Sequence, residues 1–304
     1  MLASTTLGQR SNEIVKLRAS GRGRGYSLGR GLLESILEAA YLGDWPARLW
    51  SLVPRVTDVS VTRHSLTLPA GDGERCRVAF ASDIHVGPTT PRSLLESTFT
   101  AIRQAEPDVL LLGGDYVYLE AEPRGLAPLQ SLVESVPAPL KLAVLGNHDL
   151  WTRDAEIVRA LSSAGARVLI NEAAPLPAPW DDVAVLGLDD PLTGQCDPQA
   201  AARQLDGQPF RIVLCHSPDG LGLLAGMRFD LYLAGHTHGG QIAAPWGPIV
   251  LPHGKMCSRF PAGFARFDAG VVYVSRGVGT VELPVRTFAP PDILVLDLVR
   301  PDAS

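Results

Sequence analysis

This sequence of 304 residues predicts an α/β fold of layered sheets and helices, and three observations carry that expectation. Hydrophobic residues make up 46% of the chain and charged residues 19%, which supplies a large core and excludes a disordered chain. Six apolar runs end in polar, mostly glycine-containing segments: RVAFASDIHVG, DVLLLGGD, LAVLGNHD, VAVLGLDD, RIVLCHSP and LYLAGHTHGG. Helical stretches at 91–105, 154–164 and 198–206 lie between several of them, a pattern expected of strands buried on both faces. Finally, 30 Gly and 25 Pro without a triplet period predict many turns and exclude collagen-like and low-complexity chains.

Taken in order, residues 1–30 form a basic arm of net charge +5, so the rest of the chain carries −10 of the overall −5. The arm, with SGRGRG near its end, is expected to be mostly flexible. Leu33, Ile36, Leu37, Ala40 and Tyr41 fall at helical spacing, and Gly43 and Pro46 are expected to end that helix. Trp45, Leu49, Trp50, Leu52 and Val53 follow as a second apolar stretch. Two readings fit: an amphipathic helix lying on an anionic membrane surface with Trp anchors, or a helix capping the core. VSVTRHSLTL alternates and predicts a half-buried strand. After Gly240 helices are expected to stop, with FARFDAG and VVYVSRG forming a hairpin and DILVLDLV a last strand. The chain therefore divides into an extension, residues 1–55, and one α/β domain, residues 56–304.

The four cysteines form no C-x-x-C pair, which fits a reducing compartment rather than a disulfide scaffold or thiolate zinc site. No apolar run is long enough to span a membrane, and no secretory leader is readable. The expected location is cytoplasmic, peripheral on the inner membrane if the extension binds lipid. An acidic body argues against nucleic acid as partner.

Five of the seven histidines (His85, His148, His216, His236 and His238) stand at or just beyond the end of an apolar run, as do Asp83, Asp115, Asn147 and Asp149. In α/β sheets those ends line the ligand crevice, so residues far apart in sequence meet there. Imidazole, carboxylate and amide oxygen together suit a borderline divalent ion such as Mn²⁺, Zn²⁺ or Fe²⁺. There are more candidates than one ion takes, and they fit two. His236 and His238 are the strongest pair, because side chains at i and i+2 of an extended segment point the same way.

In order the chain reads SDIHVG, GGDYV, GNHD, His216 and GHTHGGQI, and so resembles the calcineurin-like metallophosphoesterase superfamily over residues 76 to 299. GHTHGGQI, VYVSRGVG and PVR resemble more narrowly its YkuE-like bacterial membrane-associated branch. The resemblance implies a four-layer αββα sandwich. It implies that Asp83, His85 and His238 hold one metal ion, that Asn147, His216 and His236 hold a second, and that Asp115 bridges both. It further implies hydrolysis of a phosphate ester, favouring a phosphodiester, by a metal-bridging hydroxide, with His148 contacting the scissile phosphate and protonating the leaving group. Asp149 either orients His148 or caps the loop. Protein phosphatases of the superfamily read GDYVDRG where this chain reads GDYVYLE, so a protein substrate is disfavoured. Arg276 and Arg286 are each either a phosphate clamp or a structural ion pair. His253 either borders the site or lies on the surface, and Asp189 and Asp190 either support the site or form a turn. Relatives also imply a second reading, a UDP-2,3-diacylglucosamine pyrophosphohydrolase acting on a lipid-linked substrate; a non-catalytic binding scaffold of this fold is the third.

Overall fold

The computed structural model describes residues 21–69, 73–119, 123–205, 207–224, 226–252, 254–268 and 270–302. Residues 1–20 of the basic arm, and His253, lie outside the described residues.

Two six-stranded sheets stack on each other. The first runs in the order β1 (Ser60–Thr67), β14 (Asp292–Val299), β2 (Arg75–Ala81), β3 (Val109–Leu112), β4 (Leu140–Ala143) and β5 (Arg167–Val168). Only the β14–β2 pair is antiparallel. The second runs β12 (Gly263–Phe267), β13 (Gly270–Val274), β9 (Leu231–Ala234), β8 (Phe210–Leu214), β7 (Val183–Gly187) and β6 (Glu172–Pro175). Its outer pairs are antiparallel and its inner ones parallel. A small hairpin, β10 (Ala243–Ala244) with β11 (Gly247–Pro248), stands apart.

The period of two along a strand builds three apolar layers from single runs of sequence. Val78, Phe80, Val109 and Leu111 point inward and meet Val185, Ile212, Leu214 and Leu233 of the second sheet. Their neighbours Ala79, Ala81, Leu110 and Leu112 point the other way. They meet Leu94, Phe99 and Ile102 of α3 (Arg92–Gln104), Leu129 and Val133 of α4 (Pro123–Glu134), and Ile157 and Leu161 of α6 (Asp154–Ser163). On the far side, Ala184, Leu186, Val213, Tyr232 and Val272 pack on Ala201 of α7 (Pro198–Ala202), Leu221 of a 3₁₀ turn (Pro218–Leu223), and Phe260 just after α8 (Lys255–Arg259). The result is the four-layer αββα sandwich. Truncating Phe80, fully buried between the sheets, is expected to cost about 3–5 kcal/mol.

The extension is helical, as α1 (Leu28–Ala40) and α2 (Trp45–Trp50), but its boundaries differ from expectation. Ser27 caps α1, its Oγ accepting from Arg30 N at 3.1 Å. Pro46 does not end a helix but sits in the first turn of α2, where its missing N–H costs nothing. Helices do not stop after Gly240, since α8 follows. Helix α4 was not expected, because Gly125 and Pro128 depress the helical propensity of its stretch; tertiary packing of Leu129 and Val133 overrides them.

SGRGRG is also not a flexible end where described. Residues 21–24 run against α5 (Asn147–Trp151), with Gly23 N donating to Leu150 O at 2.7 Å and Arg24 N to Thr193 O at 2.8 Å. Arg22 makes a bidentate pair with the buried Asp189 at 2.6 and 2.7 Å, a strong anchor for an otherwise polar strand. All four cysteines are free thiols.

Candidate metal centre

All seven expected metal ligands follow the ends of parallel strands. Asp83 and His85 follow β2, Asp115 follows β3, and Asn147 opens α5 after β4; His216 follows β8, and His236 and His238 follow β9. Three strand ends of the first sheet, β2, β3 and β4, and two of the second, β8 and β9, thus converge at the seam.

Six of the side chains form two triads, Asp83–His85–His238 and Asp115–His216–His236, with donor atoms within 4.8 Å in each. Asp115 reaches from its own triad toward the other, its Oδ2 3.1 Å from His216 Nε2 and 3.7 Å from His85 Nε2. His85 Nδ1 faces Val117 O at 3.3 Å, and His216 Nδ1 faces Gly113 O at 2.9 Å. Donating Nδ1–H to those carbonyls fixes the tautomer and turns each Nε2 lone pair into the shared space. There His85 Nε2 is 3.1 Å from His238 Nε2, and His216 Nε2 is 3.2 Å from His236 Nδ1. Lone pairs so placed repel unless a cation or proton lies between them. Asn147 Oδ1 and His236 Nε2 are buried without a hydrogen-bond partner. A donor set of imidazole, carboxylate and an orphaned amide oxygen fits two borderline divalent ions.

The electrostatics agree. Burial pushes His85 down to about 4 and His236 down to about 3, so both are neutral, the form that ligates a metal. His216 is also opposed by burial, but the adjoining Asp115 carboxylate outweighs it and raises the imidazole to about 10. Without cations, the anionic centre thus draws a proton onto the ring beside its middle carboxylate.

Backbone geometry marks the same residues. Asp83, His85, Asp115, His236 and His238 all have left-handed φ between 45° and 68°. Such conformations are strained for residues other than glycine and concentrate at functional sites. Two glycines make room for the carboxylates: a Cβ on Gly146 would stand 2.2 Å from Asp115 Oδ1, and one on Gly235 would stand 2.1 Å from Asp83 Oδ2. This is the local reason that GNHD and GHTH begin with Gly. Asp149 caps the loop: its carboxylate accepts from Asp115 N and Tyr116 N at 2.8 Å and from Gly146 N at 2.9 Å. It thereby ties the β3 and β4 loops together and positions Asp115.

His148 lies beside the triads, its ring centroid 5.0 Å from that of His85. Arg286 does not fit a phosphate clamp. Its N–H groups face main-chain carbonyls of Gly279, Arg276 and Ala289, and Nη2 lies 3.2 Å from His238 Nδ1. With its donors turned to those partners it holds the loop around His238 instead. Arg276 pairs with the buried Asp292 at 3.2 Å, which is the ion-pair alternative. Asp190 closes a turn through Thr193 N at 2.8 Å, and Asp189 anchors Arg22.

Sequence reasoning missed Arg30, Trp151 and Glu282. Arg30 Nη2 lies 3.3 and 3.4 Å from the two ring nitrogens of His148 and 4.0 Å from Glu282 Oε1, and its guanidinium covers the Trp151 ring at 4.2 Å. These partners lie more than a hundred residues from Arg30, and no local pattern announces them. Beside the centre, a cavity of about 860 Å³ separates the α1–α2 hairpin from the β2 and β3 loops, with Tyr41, Leu42, Ala47, Val86 and Tyr118 in its walls.

Residues 76–240 match the calcineurin-like phosphoesterase family. The chain is 32% identical to the phosphodiesterase YaeI of Escherichia coli, over 78% of this chain and 87% of that one. It is 30% identical to the uncharacterized metallophosphoesterase YkuE of Bacillus subtilis, over 79% and 85%. It is 26% identical to the UDP-2,3-diacylglucosamine pyrophosphatase LpxG of Chlamydia muridarum, over 72% and 82%.

Proposed function

The chain belongs to the calcineurin-like phosphoesterase family, metal-dependent phosphoric ester hydrolases, and from that premise we propose that it cleaves a phosphodiester at a dinuclear centre. The observation that carries this reading is Asp115, a carboxylate of one donor triad that also lies 3.7 Å from His85 Nε2 of the other. We assign Asp83, His85 and His238 to one ion, Asn147, His216 and His236 to the other, and Asp115 to both. Bound divalent ions would supply a nucleophile from water near neutral pH and neutralise charge on the phosphoryl oxygens.

The chain's own residues do the rest. Asp149 and the Val117 and Gly113 carbonyls hold the ligands in orientation. His148 borders the centre from α5 and is assigned the proton delivered to the leaving oxygen. The complete set of expected ligand positions disfavours a binding scaffold. Turnover of bis-p-nitrophenyl phosphate with added Mn²⁺, against p-nitrophenyl phosphate, tests the reading. No turnover of either ester would defeat it.

A lipid-linked substrate is a second reading, favoured by the apolar-walled cavity and by the likeness to LpxG. The extension supports it. Leu28, Leu32, Leu33 and Ile36 of α1 are exposed, Leu32 at 65%, and Leu42 beyond it at 78%. So are Trp246, Leu283 and Phe288 near the loop that meets Tyr41 through Glu282 O. Exposed apolar residues on the extension favour seating on a lipid surface. No helix of the described residues is long and apolar enough to cross a membrane. Leu32→Asp with Leu42→Asp should abolish co-flotation with anionic vesicles, and hydrolysis of UDP-2,3-diacylglucosamine tests the substrate.

A further inference from the structure

Arg30 reaches from α1 to the His148 ring beside the candidate metal centre. Its Nε donates to Glu34 Oε1 at 2.8 Å, and the other oxygen of that carboxylate takes the Tyr26 hydroxyl at 2.6 Å. The Trp151 ring lies under the guanidinium at 4.2 Å. Arg30 is therefore oriented from two sides, by a charge-assisted hydrogen bond and by a cation–π contact.

The contact with His148 is unusual in form. Nη2 is nearly equidistant from the two ring nitrogens, at 3.4 and 3.3 Å. A hydrogen bond along either lone pair would leave the other nitrogen much farther away. The guanidinium thus lies against the imidazole without claiming either nitrogen. Nor does Asp149, the neighbouring carboxylate, reach the ring, because it is turned inward to three amides. The guanidinium is left beside the His148 ring, one ring away from His85. A guanidinium fixed in that place favours a phosphate oxygen between it and the metal centre.

The chain fixes α1 in this place. Cβ atoms on Gly21 and Gly23 would meet the main chain of α5 and its neighbour, at 2.0 Å from Thr152 O and 2.7 Å from Leu150 O. Only glycine lets the strand preceding α1 approach so closely. Trp151 Nε1 in turn donates to Arg24 O at 2.8 Å.

We propose that Arg30, contributed by the N-terminal helix, binds a phosphate oxygen of the substrate on the side of His148, so that the extension forms part of the active site. This rests on the phosphoesterase reading. Its fully protein-borne geometry makes a binding test possible without turnover. Inorganic phosphate would be titrated into the Mn²⁺-loaded full-length chain by calorimetry, with wild type, Arg30→Met and Arg30→Lys.

Arg30→Met is expected to weaken phosphate binding about tenfold, while metal content and melting temperature stay at wild-type values. Arg30→Lys should recover part of the loss, and millimolar guanidinium should restore binding to Arg30→Ala, which a packing role would not allow. In steady-state assays the loss should fall mainly on KM. Equal phosphate affinity in wild type and Arg30→Met overturns the proposal, as does a wild type that binds no phosphate. Should Arg30→Met fold poorly, absence of guanidinium rescue in Arg30→Ala overturns it instead. Failure of wild type to hydrolyse any ester would defeat the phosphoesterase reading, and the titration would still decide the role of Arg30.

Discussion

The two halves of the sandwich contribute different chemistry to one centre. The first sheet presents Asp83, Asp115 and Asn147 with a single imidazole, His85; the second presents only imidazoles, His216, His236 and His238. Their outer cover differs as well. Helices of 13, 12 and 10 residues lie on the first sheet, whereas the second carries helices of five residues and a six-residue 3₁₀ turn. Anionic oxygen comes from the more heavily clad half, and neutral nitrogen from the thinner one. On the proposed ligand assignment, the first half would supply the attraction for a cation, and the second would favour a borderline ion over Mg²⁺ or Ca²⁺.

The largest effect should come from removing the carboxylate at the seam. Asp115→Ala should lose both ions by elemental analysis and lower kcat about a thousandfold or more. Retention of two ions would break the division between the halves. His148→Ala should lower kcat about a hundredfold while the metal content holds, since His148 belongs to neither triad. Loss of metal equal to that of Asp115→Ala would show that its role had been wrongly separated from the ligands. His216→Asp converts nitrogen to oxygen in the second half. It should shift the relative affinity for Zn²⁺ and Mg²⁺ toward Mg²⁺ by about tenfold, read by competition titration.

The smallest effect concerns the strand before α1. Asp189 is buried, which by itself would raise its carboxyl, but its bonds to Arg22 and to the Gln195 amide hold it below the usual range. A carboxylate depressed on folding contributes stability above its unfolded value, near pH 3.9, and loses it as the pH falls below that. Amide-exchange protection of Gly23 should therefore be complete at neutral pH and decline in acid. Protection that is unaffected by acid would mean that glycine packing alone holds the strand.

What could be read in the sequence, and what could not, follows from range. Asp83, His85, Asp115 and the GHTH histidines were legible because each stands at the end of an apolar run, and strand ends on one edge of a sheet must meet. The layers were legible because Val78 and Ala79 alternate between two buried faces. The two readings of Arg286 stayed open because an arginine near a ligand loop reads the same whether it faces phosphate or main-chain carbonyls. Only the fold shows that carbonyls surround it. Arg22 and Arg30 looked like members of a solvated basic arm. Their partners Asp189 and His148 lie 167 and 118 residues away, beyond the reach of any local pattern.

The arrangement of the first sheet bears on how the molecule is made. β14, the final strand, inserts between β1 and β2, parallel to one and antiparallel to the other. During synthesis β2 must therefore wait for a neighbour that leaves the ribosome after every strand of the second sheet. A premature stop before Asp292 would therefore leave β1 without its partner.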